Sequence, residues 1–306
     1  MINGFVIIDK PAGITSHDVV SRVRRILGTR KVGHTGTLDP FATGVLPVAV
    51  NDGTKVIPYL DEGKKCYEAL LRLGVTTDTL DMTGTILSES PISSISVETF
   101  SSCLADFTGS ISQIPPMYSA IKQNGQPLYK LARQGIEVER KAREVEIYSL
   151  EILSFDLPHV SLRVICSRGT YIRTLADDIG SRLGCGAALQ ELRRTESGPF
   201  FIKNAVTLQE LETAVSEGRV DAYCLPPVIT LSHLQEIPLK EEGAEGLLFG
   251  RAPSWDKILL KATVISVEGA LVRLTYLDKL VAVATLLPDK SSNPKIVLKR
   301  VFASTS

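Results

Sequence analysis

Hydrophobic residues in this chain of 306 residues change between helical and strand spacing in no regular order, and this irregularity limits the possible fold more than any other feature. Apolar residues recur every three or four positions in 97–107 and in 175–183, which predicts two amphipathic helices. They alternate with polar residues in 66–73 and in 160–166, which predicts half-buried strands. Because helices and strands intermix without a regular βαβ repeat, the sequence predicts an α+β fold with a mixed, largely antiparallel sheet, flanking helices and inserted loops.

The beginning of the chain predicts one strand followed by one helix. Gly4 to Asp9 is typical of a short strand that ends at the turn-forming run Lys10-Pro11-Ala12-Gly13. Apolar residues at helical spacing follow, with Ser16 as the predicted N-cap and Gly28 as the residue that ends the helix.

The C-terminal part of the chain predicts a separate small domain. A boundary is expected near Pro226-Pro227, which leaves a large domain in 1–230 and a small β-rich domain in 231–306. Short strand-like segments at close spacing favour a small barrel. These segments are 261–267, 271–276, 280–284 and 295–299.

Residues 121–143 interrupt the large domain. They are polar, hold several cations and surround the short helical segment Leu128 to Ala132. A plain surface insertion would have the same composition, and long loops are often functional. The sequence alone leaves both interpretations open.

The composition is that of an ordinary globular protein, with 44% hydrophobic and 22% charged residues. No apolar run is long enough to span a membrane, and no secretory signal is visible at the start. The five cysteines are scattered without a C-x-x-C pair, and the four histidines are dispersed. We therefore expect a reducing, cytoplasmic environment, no disulfide and no metal.

The 34 basic residues balance the 34 acidic ones, which is unlike the clearly basic balance of a generic nucleic-acid binder. The cations are nevertheless grouped, and a local basic face would still bind phosphates. A charge run is more often only a solvated surface. The groups are Arg22 to Lys31, Lys64 with Lys65, Arg140 to Arg143, and Arg193 with Arg194.

A single carboxylate stands out in the stretch Gly33 to Leu46, which reads GHTGTLDPFATGVL. Asp39 lies there on a Gly- and Thr-rich loop just ahead of an apolar run. Pro40 restricts the residue before it, so Asp39 is expected in a fixed, extended turn. A carboxylate held in this way suits catalysis, although an isolated Asp-Pro pair is more often a simple turn.

This stretch contains the pattern G-x-x-D-x-x-A-x-G-x-L and resembles the RNA pseudouridine synthases. The longer run from Arg30 to Pro40 narrows the resemblance to the bacterial tRNA pseudouridine(55) synthases of the TruB type. Three further stretches agree in order and spacing. They are Lys65-Cys66-Tyr67 leading to Leu73-Gly74, Pro115 to Ala120, and Ser167 to Leu175.

The resemblance implies an isomerase that converts uridine 55 in the T-loop of tRNA to pseudouridine after flipping the base into a pocket, without cofactor or metal. Asp39 would be the catalytic carboxylate, and Arg173 would pair with it. Tyr67 would stack on the target base and take part in proton transfer. A strand tyrosine is more often a core residue, and an arginine at a strand-to-helix junction is more often a cap.

The resemblance also implies a set of substrate-binding residues. His34 would fill the space that the flipped base leaves, and Leu192 would pack beside the base, although an ordinary core leucine is nearly as good an interpretation. Tyr171, Lys65 and Arg193 complete the set. The insert 121–143 would close over the T-arm, and 231–306 would be a PUA-like domain that touches the tRNA.

Two other classes remain open at this point. The chain could be an RNA-binding or tRNA-chaperone module without chemistry, or folding assistance could accompany catalysis. A hydrolase could use Asp39 and His34 as acid and base, but the sequence has no nucleophile elbow and no metal-ligand spacing. We expect a monomer whose partner is tRNA, with no membrane and no protein partner.

Overall fold

The computed structural model describes residues 2–61, 63–123, 125–259, 269–288 and 294–302. The strands in these ranges are β1 (Gly4–Lys10), β2 (Val32–His34), β3 (Thr43–Val50), β4 (Lys64–Leu73), β5 (Val75–Thr77), β6 (Ile86–Glu89), β7 (Gly109–Gln113), β8 (Lys122–Gln123), β9 (Gln126–Pro127), β10 (Arg143–Asp156), β11 (His159–Ser167), β12 (Ala187–Ser197), β13 (Phe200–Phe201), β14 (Cys224–Leu225), β15 (Gln235–Pro238), β16 (Leu271–Tyr276), β17 (Lys279–Leu287) and β18 (Lys295–Val301). The α-helices are α1 (Ser16–Leu27), α2 (Gly53–Val56), α3 (Val97–Ala105), α4 (Leu128–Ala132), α5 (Ile172–Leu183), α6 (Leu208–Ser216), α7 (Pro227–Thr230) and α8 (Glu241–Leu248).

A sheet of ten strands forms the framework of the large domain. Its strand order is β14-β1-β3-β12-β4-β11-β10-β7, with β2 paired to β3 and β13 paired to β12. Only the β12–β3 pair is parallel among the pairs of this sheet in the described residues. The predicted mixed, largely antiparallel sheet in an α+β fold is therefore confirmed.

The parallel β12–β3 pair joins the two halves of this sheet over a short distance. Arg193 lies opposite Thr43, and Arg194 lies opposite Gly44. Gly44 has a φ of 99°, and a Cβ added there would lie 2.2 Å from the carbonyl oxygen of Arg194. Only a glycine fits this crossing, because both its conformation and the space exclude a side chain.

Helices cover the sheet on the side that builds the hydrophobic core. In one half, α1 and α6 pack on β1 and β3, with Val20, Ile8 and Leu211 among the buried residues. In the other half, α3 and α5 pack on β4, β11 and β12 around Phe100 and Ile179. The predicted helices at 97–107 and 175–183 are thus α3 and α5, each with shifted ends.

The predicted N-cap of the first helix is wrong by one residue. Thr15 is the N-cap of α1, because it forms a capping box with Asp18, in which each side chain bonds the other residue's backbone amide. The hydroxyl of Ser16 instead donates to the carbonyl of Leu38 and accepts from the amide of Leu38. Gly28 ends the helix as predicted, in the left-handed conformation.

A second, four-stranded sheet follows in the C-terminal part, in the order β15-β16-β17-β18. Three of the predicted strands of this region are β16, β17 and β18, whereas the predicted strand at 261–267 lies outside the described residues. One hydrophobic cluster joins both sheets, with Phe5 and Ala49 from the large sheet and Val283 and Phe302 from the C-terminal part. The division at residue 230 remains a prediction.

In the described part of the chain, no helix combines the length and the apolar character that crossing a membrane requires.

Candidate active site

A cleft of about 1190 Å³ opens on the large domain, where the two halves of the sheet join. Its walls come from segments that are far apart in the chain: the β1–α1 turn, the β2–β3 loop, β4, the loops at 79–83 and 118–120, the helix α4, the start of α5 and β12. The described residues that line it are Ala12, Gly13, Thr15, Ser16, His17, His34, Thr37, Leu38, Asp39, Pro40, Phe41, Lys65, Tyr67, Thr79, Asp81, Thr83, Tyr118, Ser119, Ala120, Tyr129, Arg133, Gly169, Thr170, Tyr171, Ile172, Arg173 and Leu192.

Asp39 lies on the loop that connects β2 with β3, residues 35–42, which we call the Asp39 loop. Both backbone groups of Leu38 bond the hydroxyl of Ser16, and the carbonyl of Pro40 accepts from the amide of Gly13 at 2.8 Å. The amide of Ala42 donates to the carbonyl of Asp39 at 3.1 Å. The loop is thus fixed on both sides of Asp39, as expected for the residue before a proline.

Lys10, at the end of β1, binds the same loop through the carbonyl of Pro40. Its side chain is fully buried, and its Nζ donates to the carbonyls of Pro11, Ile14 and Pro40 at 2.7 to 3.1 Å. Burial lowers the pKa of Lys10 to about 8, and the nearby charge of Asp39 opposes this fall. The sequence predicts Lys10 only as part of a turn, because a lysine at the end of a strand, ahead of a Pro-Ala-Gly run, gives no signal of these contacts.

Arg173 forms an ion pair with Asp39, with 2.9 Å between Nε and Oδ2. The arginine side chain is 5% exposed, and its Nη1 and Nη2 donate to the carbonyls of Thr79 and Tyr118. Arg173 lies in the first turn of α5, where Gln113 exchanges two hydrogen bonds with the backbone of Tyr171 and so fixes the helix start. The guanidinium is therefore held rigidly toward the cleft.

Asp81 is a second carboxylate beside the same arginine, and sequence reasoning missed it. Its Oδ2 lies 3.5 Å from Nη1 of Arg173, and its Oδ1 accepts from Thr79 and Thr83. The only signal in the sequence is the Thr- and Asp-rich run between β5 and β6, which reads TDTLDMTG. Nothing in that run indicates that a residue so far along the chain would pair with it.

The pKa of the Asp39 carboxyl is raised above its ordinary value. Burial is the main cause, Arg173 opposes it, and the negative charge of Asp81 adds to the rise. Asp39 keeps 34% of its side-chain surface accessible, facing the cleft. The carboxyl is therefore open to a ligand. Burial and Asp81 oppose its ionisation, and Arg173 favours it.

Tyr67, Lys65 and Leu192 line the cleft on the side formed by β4 and β12. Lys65 and Tyr67 are two residues apart in β4 and therefore lie on the same face of the strand, and Leu192 belongs to the adjacent β12. All three are less than 10% exposed. Burial raises the pKa of the Tyr67 phenol, and the positive charge of Arg194 opposes that rise, so the phenol is protonated at neutral pH.

His34 ends β2 at the edge of the cleft. Burial lowers the pKa of its imidazole, with the positive charge of Arg194 as the next cause, so the ring is neutral at pH 7. Among the described residues, its buried Nδ1 has no hydrogen-bond partner. The ring thus lines the cleft and keeps one unsatisfied polar atom buried behind its surface.

Arg193 differs from the other predicted site residues, because it is not among the described residues that line the cleft. It forms a two-pronged ion pair with Asp9, with distances of 3.1 and 2.7 Å. Two residues of the insert do line the cleft, Tyr129 and Arg133, whose guanidinium lies 5.7 Å from the centre of the Tyr129 ring. The structure therefore brings together seven of the eight predicted site residues.

Two family models match this chain. Residues 24–172 match the N-terminal domain of TruB family pseudouridylate synthases, and residues 173–230 match the C-terminal domain of tRNA pseudouridylate synthase B. These matches end at residue 230, ahead of the four-stranded sheet.

Curated proteins match nearly the whole chain. The tRNA pseudouridine synthase B of Geotalea uraniireducens (strain Rf4) is 50% identical over 98% of this chain and 98% of that protein. The protein of the same name from Geobacter sulfurreducens (strain ATCC 51573 / DSM 12127 / PCA) is 48% identical over 98% of this chain and all of that protein.

Solved structures match the fold. A chain in the crystal structure of a Cbf5–Nop10–Gar1 complex is 30% identical, with a TM-score of 0.74 over 97% of this chain and 84% of that one. A chain in an H/ACA RNP bound to a substrate RNA containing 2′-deoxyuridine is 28% identical, also with a TM-score of 0.74, over 98% of this chain and 84% of that one. Because its sequence and its fold both match, this chain belongs to the TruB family of pseudouridylate synthases.

Proposed function

We propose that this chain is a tRNA pseudouridine(55) synthase that isomerises a uridine of the T-loop in its cleft, with Asp39 as the catalytic carboxylate. The observation that carries the proposal is the Asp39–Arg173 ion pair on a rigid loop inside a cleft of about 1190 Å³. The curated relatives that share about half of its residues are named for this activity.

The reaction needs no donor and no oxidant, so one carboxylate is enough. The bond between N1 of the base and C1′ of the ribose breaks, the base turns, and a bond forms between C5 and C1′. The hydrogen of C5 leaves as a proton and N1 gains a proton, so the product is an isomer of the substrate. Asp39 acts as nucleophile or base and must be ionised, which Arg173 favours against the effect of burial.

The residues around Asp39 support binding of a single flipped base. Tyr67 and Leu192 offer a flat and an apolar surface on one wall of the cleft. The Tyr67 phenol, protonated at neutral pH, is placed to take part in proton transfer. Flipping a stacked base costs a few kcal/mol, and the neutral ring of His34 at the cleft edge is suited to fill the space it leaves.

The remaining parts of the chain are assigned by position. Residues 1–230 form the synthase domain, and the insert 121–143 closes over the T-arm, which agrees with Tyr129 and Arg133 in the cleft wall. Residues 231–306 form a PUA-like domain that contacts tRNA. The protein acts as a monomer in the cytoplasm, and the five free cysteines agree with a reducing compartment. Assistance to tRNA folding would accompany catalysis.

The test is tritium release from tRNA labelled at C5 of uridine. We expect release by the parent protein and none by Asp39→Asn, because formation of the C5–C1′ bond expels the label. Filter binding of the same tRNA should give similar affinities for both proteins, since Asp39→Asn keeps the shape of the side chain.

Other results would assign the protein to other classes. Binding by both proteins without release would make it an RNA-binding or chaperone module. Free uracil in place of pseudouridine would make it a hydrolase with Asp39 and His34 as acid and base. Chromatography of the digested tRNA separates these products.

A further inference from the structure

Arg194 is the largest fully buried side chain among the described residues. It lies on β12, between β4, which carries Tyr67, and β3, which follows the Asp39 loop. On one side it is in register with Gly44, just after the Asp39 loop, and on the other with Tyr67 of β4. A charge at this position is costly unless its donors are bonded.

The guanidinium of Arg194 bonds both flanks of the Asp39 loop. Its Nε donates to the carbonyl of Val45 at 2.8 Å, and its Nη2 donates to the carbonyl of Gly36 at 3.1 Å. Gly36 lies before Asp39 in the chain and Val45 lies after it. One side chain therefore holds together the two ends of the loop that carries Asp39.

The chemistry of the side chain fits this task better than that of other residues. Arginine is planar, and its donors point in fixed directions, so it bonds two carbonyls at once without losing its orientation. A lysine in the same place has one compact ammonium on a flexible stem. An apolar residue of similar volume would fill the core at lower cost in buried charge, and it would leave both carbonyls without this bond.

We infer that Arg194 is a positioning residue, whose guanidinium fixes the two flanks of the Asp39 loop and keeps Asp39 in register with Tyr67 on the neighbouring strand. The inference rests on the proposed function for its consequence in catalysis. Arg173 holds the carboxylate itself, whereas Arg194 holds the backbone that carries it. Arg194 acts through Asp39 and Tyr67 and does not touch the substrate.

Arg194→Met and Arg194→Lys test the inference. Methionine removes the buried charge and keeps most of the volume, but the carbonyls of Gly36 and Val45 lose their donor, so we expect the variant to fold with a lowered Tm. Its kcat for tRNA should fall roughly 100-fold, because a shift of about 1 Å in a reacting group has that effect. Its KM should stay within about twofold, since the cleft lining is unchanged. Arg194→Lys should have an intermediate kcat, because it keeps the charge and one of the two bonds.

The matched control is Leu211→Ala in α6, which is fully buried in the core behind β1 and does not line the cleft. This variant should lose Tm but keep the parental kcat in its folded fraction. A kcat within threefold of the parent in Arg194→Met would overturn the inference, as would an effect on KM alone. If neither Arg194 variant folds, the arginine is a folding determinant and the positioning role is rejected.

Amide hydrogen exchange gives a readout that does not depend on activity. The amides of Leu38 and Ala42 are both hydrogen-bonded in the parent. We expect them to exchange faster in Arg194→Met than in the parent, and at the parental rate in Leu211→Ala. Equal exchange in Arg194→Met and the parent would overturn the inference whatever the reaction. Faster exchange in a protein whose parent releases no tritium would support the loop closure and reject the proposed function.

Discussion

At the scale of single residues, the cleft is governed by one arginine that two aspartates share. Arg173 lies 2.9 Å from Asp39 and 3.5 Å from Asp81. A like charge close to a carboxylate disfavours its ionisation, and an opposite charge favours it. Asp81 therefore orients Arg173 and at the same time limits how much of its charge acts on Asp39.

Asp81→Asn should shift the pH dependence of the reaction. The pKa of Asp39 should fall, because the variant loses a nearby negative charge and leaves Arg173 with one carboxylate. If Asp39 acts as an anion, the acidic limb of the single-turnover rate should then move to lower pH. The maximal rate should fall, because Arg173 loses one of its anchors. A limb that stays in place or moves to higher pH would contradict this account of Asp39.

Arg173→Lys should lower turnover far more than tRNA affinity. Lysine keeps the charge but cannot bond Asp39 and two backbone carbonyls together, so we expect kcat to fall roughly 100-fold. The Kd for tRNA, measured by filter binding, should change less than about twofold. Arg182→Lys on the same helix is the control, since Arg182 forms an exposed pair with Asp106 and should have parental kinetics. Equal losses in kcat and in tRNA affinity would show that the Asp39–Arg173 ion pair has no specific role in catalysis.

At the scale of elements, local patterns predicted α1, α3, α4 and α5 and the regular strands, whereas α6 and α8 were missed. The strand predictions failed where the pattern is interrupted. β4 and β11 alternate cleanly and were predicted from that. β10 and β12 were missed, and both contain register shifts that change which face successive residues take. β12 also lies between β3 and β4, so its partners decide its conformation.

The residues of the candidate site likewise divide into those that a local motif predicts and those that it does not. Asp39, Tyr67 and Arg173 were predicted because each lies in a recognisable motif. Asp81 was not, because its role exists only through contact with a residue 92 positions later, and no pattern within its own segment encodes that contact.

The crossing of β3 and β12 should tolerate no side chain at Gly44. Gly44→Ala combines a positive φ with a Cβ 2.2 Å from the carbonyl of Arg194, so we expect a loss on the order of 3 kcal/mol in the free energy of unfolding. Gly184→Ala is the control: Gly184 also has a positive φ, at the end of α5, but has open space around it. It should lose only about 1 kcal/mol, by urea unfolding. Equal losses would mean that the close approach is not limiting.

At the scale of the whole molecule, the two sheets share a hydrophobic core. Phe5 and Ala49 of the large sheet pack in one cluster with Leu280, Val283 and Phe302 of the C-terminal part. A core that belongs to both parts makes the stability of each depend on the other. The small sheet is thus a support for the half of the large sheet that carries the Asp39 loop.

We expect the two parts to unfold in one transition. Trp255 is the single tryptophan and packs on the core of the small sheet, so its fluorescence reports that sheet, whereas circular dichroism reports the whole chain. The two urea curves should coincide, and Val283→Ala should move both to lower urea by on the order of 2 kcal/mol. A fluorescence curve with an earlier midpoint would show that the small sheet unfolds by itself.

The positions of these segments along the chain also determine when the cleft can assemble during synthesis. β1 lies at the edge of the large sheet until β14 pairs with it, which joins Phe5 to Leu225. The Asp39 loop is made early on the ribosome, but Arg173 and Arg194 emerge much later. A nascent chain therefore holds the Asp39 loop without Arg173 and Arg194 until the segment that contains them has been translated, so the cleft can form only in the later part of synthesis.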